Sequence, residues 1–335
     1  MSSIKKTTAG EWRARWRTPE GASRSKTFDR KVDAEQWLTH TEHKKLSGEY
    51  VDPSDGRVHF DDYAASWLES QVWRPSTAVH VQAIVKHHLA PALGSRPLSS
   101  VTPSVVQTLV KQLSTSLAPG TVRGVYTVLC AIYRAAVRDR LVTSSPCVSI
   151  KLPRVEVRRV EPLSVEGVEA VADAVGIKCR PLVILGAGAG LRVGEALGLR
   201  VDSIDFLRRQ LTVTQQAVTV RRVPTLGPPK TSAPVRTVPL ADFVVGELAE
   251  YVKHHPPGPL GLLVADDPIP QNRFSQTWAR SLAKAGLPVG TRYHDLRQHV
   301  RFRAHQRGLL SQECADRTRS RKRRDHFERL QPSVA

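Results

Sequence analysis

Gly190-Leu191-Arg192-Val193-Gly194-Glu195-Ala196-Leu197-Gly198-Leu199 is the stretch on which the reading of this chain turns. It comes after Pro181-Leu182-Val183-Ile184-Leu185, an apolar run that predicts a buried helix broken at Gly188-Ala189-Gly190. A break there, with a new helix just after Arg192, sets one guanidinium at a helix start. A phosphate at that place meets a fixed cation together with unpaired backbone N–H groups. Taken alone, an arginine at a helix junction is an ordinary structural feature. The stretch gains weight only in combination with residues further along the chain.

Two later clusters carry related chemistry. Pro228-Pro229-Lys230-Thr231-Ser232-Ala233-Pro234-Val235-Arg236-Thr237-Val238-Pro239-Leu240 places Lys230 at the tip of an expected hairpin. Such a lysine is usually a solvated turn residue, yet a mobile turn also lets an ammonium reach into a groove and protonate a departing oxygen. In Tyr293-His294-Asp295-Leu296-Arg297, His294 and Arg297 are spaced to share one face of a helix. An imidazole and a guanidinium aimed at one phosphate stabilise a pentavalent transition state. A satisfied histidine beside a surface arginine is the commoner arrangement.

Bulk composition points the same way. A chain of 335 residues is long enough for two or three domains, and with 40% hydrophobic but only 6% aromatic residues its cores rest on Leu, Val and Ala. Lys and Arg number 50 against 31 acids, a net charge of +19. The pI is near 10.3. A field of that sign attracts polyanions. Nucleic acid is the first candidate, because phosphate neutralisation releases counterions. An anionic membrane surface is the weaker one, since the sequence has neither a long apolar run nor a dominant basic amphipathic helix. Cys130, Cys147, Cys179 and Cys314 lie too far apart in sequence to suggest a zinc pair, a redox motif or a disulfide framework. A reduced, cytoplasmic setting is expected, and the opening residues Met1 to Trp12 contain no apolar segment of the secretory kind.

Along the chain, residues 1–50 read as a small basic unit, with 11 Lys/Arg, 7 Asp/Glu and a net of +4. Glu11-Trp12-Arg13-Ala14-Arg15-Trp16-Arg17 alternates with the period of a strand, Thr18-Pro19-Glu20-Gly21 is a turn, and Ser25 to Phe28 is a second strand. A helix is expected from Asp33 to about Leu46. Arg13, Arg15 and Arg17 are either solvated charges on a small sheet or a face that reads base edges in a DNA groove. After a polar linker at 50–56, residues 58–150 read as helical. Helices are expected from Phe60 to Gln71, from Pro75 to about Leu89, and from Thr102-Pro103 onward, with Thr102 as N-cap. A fourth carries Val122, Val125, Leu129, Ile132 and Val137 at helical spacing, with Arg123, Arg134 and Arg138 interleaved. This is either a plain bundle with a basic flank or a clamp on a duplex.

Thr143 to Pro162 is a second, proline-bearing linker with the charges Arg154, Arg158 and Arg159. Beyond it the pattern is mixed. Ser164 caps a helix, Leu211 to Val220 is β-branched and reads as one strand with Val235 to Leu240 as its hairpin partner, and helices are expected at about 241–254 and 271–285.

In this order, Gly-Leu-Arg-x-Gly-Glu, then Lys before Arg-x-Val-Pro-Leu, then His-Asp-Leu-Arg resembles the catalytic domain of the tyrosine recombinases, the phage integrase family. The resemblance implies a multidomain, mainly α fold with α+β parts. It has an arm-type DNA-binding domain over 1–50 with a small β-sheet plus helix, and a helical core-binding (SAM-like) domain over 58–150. A mixed α/β catalytic domain over 160–297 and a basic tail over 298–335 complete it. It implies that Arg192 and Arg297 clamp a scissile phosphate, Lys230 is general acid for the leaving 5′ oxygen, and His294 assists proton transfer. Glu195, Asp295 and Leu296 are structural, and no metal or cofactor is required. The implied partner is double-stranded DNA at attachment sites, where such proteins assemble as homo-oligomers.

The sequence departs from the family after Arg297. The family's leucine-glycine-histidine segment and its nucleophilic tyrosine are missing, since the tyrosines are Tyr50, Tyr63, Tyr126, Tyr133, Tyr251 and Tyr293. Residues 298–335 hold ten Lys/Arg and four acids, including Arg321-Lys322-Arg323-Arg324, without amphipathic period. A change of reading frame just after codon 297 explains that pattern; a divergent tail that binds DNA by charge is the alternative. Without a nucleophile to store the phosphodiester energy, the expectation is DNA binding with impaired recombination. A non-enzymatic DNA-binding protein that occupies attachment sites or interferes with an intact recombinase is the competing function. The altered tail also puts assembly on DNA in doubt.

Overall fold

A computed structural model describes residues 2–19, 21–47, 50, 52, 55–156, 161–220, 223–229 and 235–297. Lys230, the linker charges Arg158 and Arg159, and the basic tail 298–335 lie outside the described residues. The chain divides into two compact units, Met1–Val157 and Arg158–Ala335.

The first unit opens with an antiparallel sheet of β1 (Ser3–Lys6), β2 (Trp12–Arg17) and β3 (Ser23–Phe28), with β2 in the middle. The alternation in β2 sends Ala14 and Trp16 inward and Arg13, Arg15 and Arg17 outward. Helix α1 (Lys31–Leu46) covers the inner face. Trp16, Leu38 and Tyr50 form its core, Trp37 meets Trp16 edge to face at 4.6 Å, and Trp16 Nε1 donates to Tyr50 Oη at 2.7 Å. β1 adds to the sequence reading, which had only the second and third strands.

A helical bundle comes next: α2 (Phe60–Ser70), α3 (Pro75–Ile84), α4 (Ala90–Leu93), α5 (Pro103–Leu113) and α6 (Pro119–Arg138). Thr102 caps α5 by accepting the Val105 N–H, with Pro103 in the first turn, where a missing N–H costs nothing. The helix expected to run from Pro75 to Leu89 does so, but its last turn, Val85–Leu89, widens to a π-helix before α4. Val122, Val125, Leu129 and Ile132 of α6 are buried against Phe60, Leu89, Leu93, Leu98 and Tyr133. Burial of such a stripe, at about 25 cal/mol per Å² of apolar surface, is what holds helices this short.

The second unit starts with α7 (Val165–Ala174), capped by Ser164 Oγ, which accepts the Gly167 N–H at 3.1 Å. Helix α8 (Arg180–Gly188) is buried along most of its length and is succeeded by Gly190 at φ +65°. That left-handed turn favours glycine and leads directly into α9 (Val193–Leu197). Next come β4 (Ile204–Asp205), β5 (Gln210–Val213), β6 (Gln216–Val220), β7 (Val223–Gly227) and β8 (Arg236–Pro239), then α10 (Asp242–His254) and α11 (Gln271–Lys284).

The single strand expected over 211–220 is two. β5 pairs with β4 and β8, whereas β6 turns away to pair with β7. Gly198 makes room for this course: a Cβ there would lie 2.6 Å from the Ala217 nitrogen, so the bare glycine lets β6 lie against the end of α9. Gln215 Nε2 donates to the Gly198 carbonyl at 2.8 Å and fixes the bend. Val235 to Leu240 therefore partners only the first half of the expected strand. No described helix is long and apolar enough to cross a membrane.

Candidate functional site

The second unit builds its polar centre around one carboxylate. Glu195 is 1% exposed. Its Oε2 accepts the Arg192 backbone N–H at 2.9 Å and its Oε1 accepts Arg192 Nη1 at 2.8 Å. From β8, Arg236 reaches the same group, Nη1 to Oε1 at 2.9 Å and Nη2 to Oε2 at 2.6 Å. Burial alone would raise the Glu195 pKa, but the hydrogen bonds from Arg236 and Arg192 prevail and hold it at about 2. The carboxylate is charged and shared between two cations. The Arg192 side chain keeps 36% exposure while one edge is fixed. Glu195 thus also takes up the Arg192 N–H that a phosphate at the helix start was expected to find unpaired.

The same capping device recurs at Tyr293-His294-Asp295. Asp295 is buried, and its Oδ2 accepts the Arg292 N–H at 2.8 Å. His294 lies in a 3₁₀ turn, Tyr293–Asp295, and helical backbone begins only at Leu296. His294 is exposed and Arg297 half-buried, and of the two only Arg297 lies on α-helical backbone. Tyr293 anchors the motif. Its ring meets Phe274 and Trp278 edge to face at 5.5 and 5.8 Å, and its hydroxyl donates to the Leu182 carbonyl of α8 at 2.7 Å. Burial pushes its pKa far up, and Arg297 and Glu195 both lie within electrostatic reach of it. Tyr293, next to His294 in the chain, thus lies within electrostatic reach of Glu195, the partner of Arg192.

The flanks of Lys230 are described even though Lys230 is not. On one side, the buried Gln216 donates Nε2 to the Pro228 carbonyl at 2.8 Å. On the other stands Arg236, held by Glu195. Arg236 is the residue that sequence reasoning missed. The signal was present in Arg-x-Val-Pro-Leu, but only the fold shows that this arginine returns to Glu195.

In the first unit, Arg13, Arg15 and Arg17 are exposed on one face of β2. Directly across from them stand Ser3, Lys5, Ser23, Ser25 and Thr27, so no carboxylate faces them on a neighbouring strand. Arg134 is exposed on α6. Arg123 is exposed too, but its Nε donates to the Pro153 carbonyl at 3.1 Å, which ties it to the chain leaving the bundle. Among the described residues no cluster of His, Cys, Asp or Glu could hold a metal ion.

Every tyrosine hydroxyl is engaged within its own unit. Tyr63 donates to Asp139 Oδ2 at 2.7 Å, Tyr126 to the Cys147 carbonyl at 3.0 Å, Tyr133 to Leu98 at 3.4 Å and Tyr251 to Lys178 at 3.4 Å. Tyr293 is held by Leu182, and Tyr50 by the indole of Trp16.

Comparison with known proteins places these observations in a family. Residues 2–48 match the family model of the phage integrase N-terminal domain, and residues 60–152 match that of the phage integrase central domain. A prophage phiRv2 integrase of Mycobacterium tuberculosis is 26% identical over 309 residues, covering 88% of this chain and 81% of that protein. The integrase of Mycobacterium phage L5 is 26% identical, covering 94% and 89%. Among solved structures, the Tn1549 transposon integrase in complex with transposon right end DNA superimposes with a TM-score of 0.65 at 18% identity, covering 77% of this chain and 89% of that one. A lambda integrase dimer bound to a COC′ core site gives 0.61 at 16%, covering 99% and 97%. With its domains, its relatives and its fold in agreement, the chain belongs to the phage integrase family of tyrosine recombinases.

Proposed function

We propose that this protein is a phage integrase-like site-specific recombinase chain that binds attachment-site DNA, holds a backbone phosphate in its second unit, and does not itself cleave it. Residues 1–50 form the arm-type DNA-binding domain, 58–150 the core-binding domain and 160–297 the catalytic domain. Arg13, Arg15 and Arg17 enter a groove from the open face of the sheet, and Arg134 with Arg123 lines the duplex from α6. Arg192 and Arg297 clamp the phosphate, Lys230 stands as general acid for the 5′ oxygen, and His294 assists proton transfer. The observation that carries the reading is Arg192, fixed along one edge by a buried carboxylate and open on the other. That is how a cation is preorganised for an anion that arrives later.

The second half of the proposal rests on the tyrosines. Cleavage with energy conservation needs a nucleophile that forms a covalent phosphodiester with the protein. The sequence has no tyrosine after Tyr293, and each of its six tyrosine hydroxyls is engaged in the fold. A suicide substrate, nicked so that the cleaved strand diffuses away, tests this directly. The expected result is a retarded complex and no covalent protein–DNA band; a covalent band refutes it. Footprinting with and without residues 160–335 separates this reading from a DNA-binding protein that uses only its first unit. An unchanged footprint and affinity after removal favours the latter.

A further inference from the structure

The fold brings together two thiols that the sequence keeps apart. Cys130 lies on α6, and Cys147 lies in the segment that doubles back over that helix after its end at Arg138. Tyr126, one turn before Cys130, donates its hydroxyl to the Cys147 carbonyl at 3.0 Å, and the Cys147 N–H donates to Ser145 Oγ at 3.2 Å. The chain beyond is held as well. Gln107 of α5 bonds Lys151 twice, at 3.1 and 2.9 Å, and Arg123 of α6 bonds Pro153. The backbone around Cys147 is thus fixed on both sides while facing Cys130. Both cysteines are free and half-buried, and the two thiols lie close enough together to perturb each other's protonation.

We propose that Cys130 and Cys147 are a redox-responsive pair that closes to an intramolecular disulfide by exchange with a low-molecular-weight disulfide such as oxidised glutathione. The roles are unequal. The neighbouring Cys147 thiol draws the Cys130 thiol down to about 7 against the effect of its burial, with help from the charge of Arg134. The neighbouring Cys130 thiol and burial push Cys147 far up. Cys130 is therefore the attacking thiolate and Cys147 the resolving thiol.

The Cys130 sulfur attacks one sulfur of the small disulfide, forming a mixed disulfide and releasing one small thiolate. That thiolate takes the Cys147 proton. The Cys147 sulfur then attacks Cys130, breaks the mixed disulfide and releases the second small thiolate, which takes the proton lost from Cys130. Two protein thiols are oxidised to one disulfide, and one small disulfide is reduced to two thiols. The product fastens the segment leading out of the bundle onto α6, the helix that carries Arg123 and Arg134.

The test uses the full chain, reduced and then exposed to oxidised glutathione, with remaining thiols alkylated. The intact mass is expected to fall by that of two hydrogens and to recover with dithiothreitol. Trypsin cuts after Arg123, Arg134, Arg140 and Lys151, so a non-reducing digest is expected to contain peptide 124–134 joined to peptide 141–151. Cys179 and Cys314 stay alkylated. In Cys147→Ser, Cys130 is expected to stop at the glutathione adduct. Full alkylation of both Cys130 and Cys147 after oxidation, or a bridge from Cys130 to Cys179 or Cys314 in place of Cys147, overturns the proposal. The wild-type digest decides the matter even if the variant does not fold.

Discussion

The Glu195 carboxylate meets the Arg236 guanidinium fork to fork, at 2.9 and 2.6 Å, while holding Arg192 by its backbone and its side chain. Bidentate pairing of this kind is strong and directional. Removing the shared partner leaves two guanidiniums facing each other with no anion between them. Glu195→Ala is expected to cost about 3 kcal/mol in urea unfolding, the low end for a broken buried pair, because both arginines keep partial access to water. A loss under about 1 kcal/mol in that titration would mean the three-residue cluster is not a structural unit.

The same carboxylate sets a pH dependence. Its pKa falls from 4.5 to about 2 on folding, so the folded state favours the ionised form. The stabilisation is complete above the unfolded value and is lost as pH falls from about 4.5 through about 2. Glu195→Gln removes that titration. The stability gap between wild type and Glu195→Gln should narrow as unfolding is repeated from pH 6 down to about pH 3. A gap that stays constant over the range contradicts the assignment.

Charge counting within the cluster gives a prediction for binding. Arg192, Arg236 and Glu195 together carry one surplus positive charge. In Arg236→Gln the carboxylate balances Arg192 alone, and the surplus disappears. DNA affinity of the second unit is expected to fall roughly 10-fold, the scale of one charged hydrogen bond. The double variant Arg236→Gln with Glu195→Gln restores the surplus and should recover much of the loss. Failure of the double variant to recover, with both proteins folded by circular dichroism, assigns Arg236 a packing role only.

How much of this was legible in the sequence depends on the range of the interaction. The caps at Thr102 and Ser164, the strand alternation around Trp12 to Arg17, and the α6 stripe are written in neighbouring residues and legible there. The split of the 211–220 strand was not, because the close approach of Ala217 to Gly198 involves two separate elements. β1 escaped notice because Ser3-Ile4-Lys5-Lys6 has one apolar side chain and takes its conformation from pairing with β2. Arg236 and the Cys130–Cys147 pair were invisible for the same reason: their partners are distant in sequence and near only after folding.

The open face of the N-terminal sheet can be tested without disturbing its core. Arg13, Arg15 and Arg17 are exposed, while Ala14 and Trp16 hold the inner side. Changing all three to serine leaves the packing of Trp16 on Trp37 and Tyr50 untouched, so thermal unfolding should move little. Each lost phosphate contact lowers the slope of log affinity against log salt by about 0.9 on duplex DNA. The triple variant should therefore lose between about 1 and 3 in slope, measured by anisotropy across a salt series. An unchanged slope would assign these arginines to solvent.

Tyr293 offers the sharpest separation of structure from chemistry. It is the tyrosine nearest the His-x-x-Arg motif in sequence, yet its hydroxyl is buried and donates to the Leu182 carbonyl, with Gly186 of α8 leaving room for its ring. A group so placed is enclosed in the core and already bonded to α8. Tyr293→Phe keeps the ring and deletes only the hydrogen bond, leaving a buried carbonyl without that donor. The expected cost is about 1–2 kcal/mol of stability. DNA affinity should be unchanged, and neither wild type nor variant should form a covalent complex with the suicide substrate. A covalent band in the wild type that Tyr293→Phe abolishes would make Tyr293 the nucleophile and overturn both its structural role and the proposed lack of cleavage.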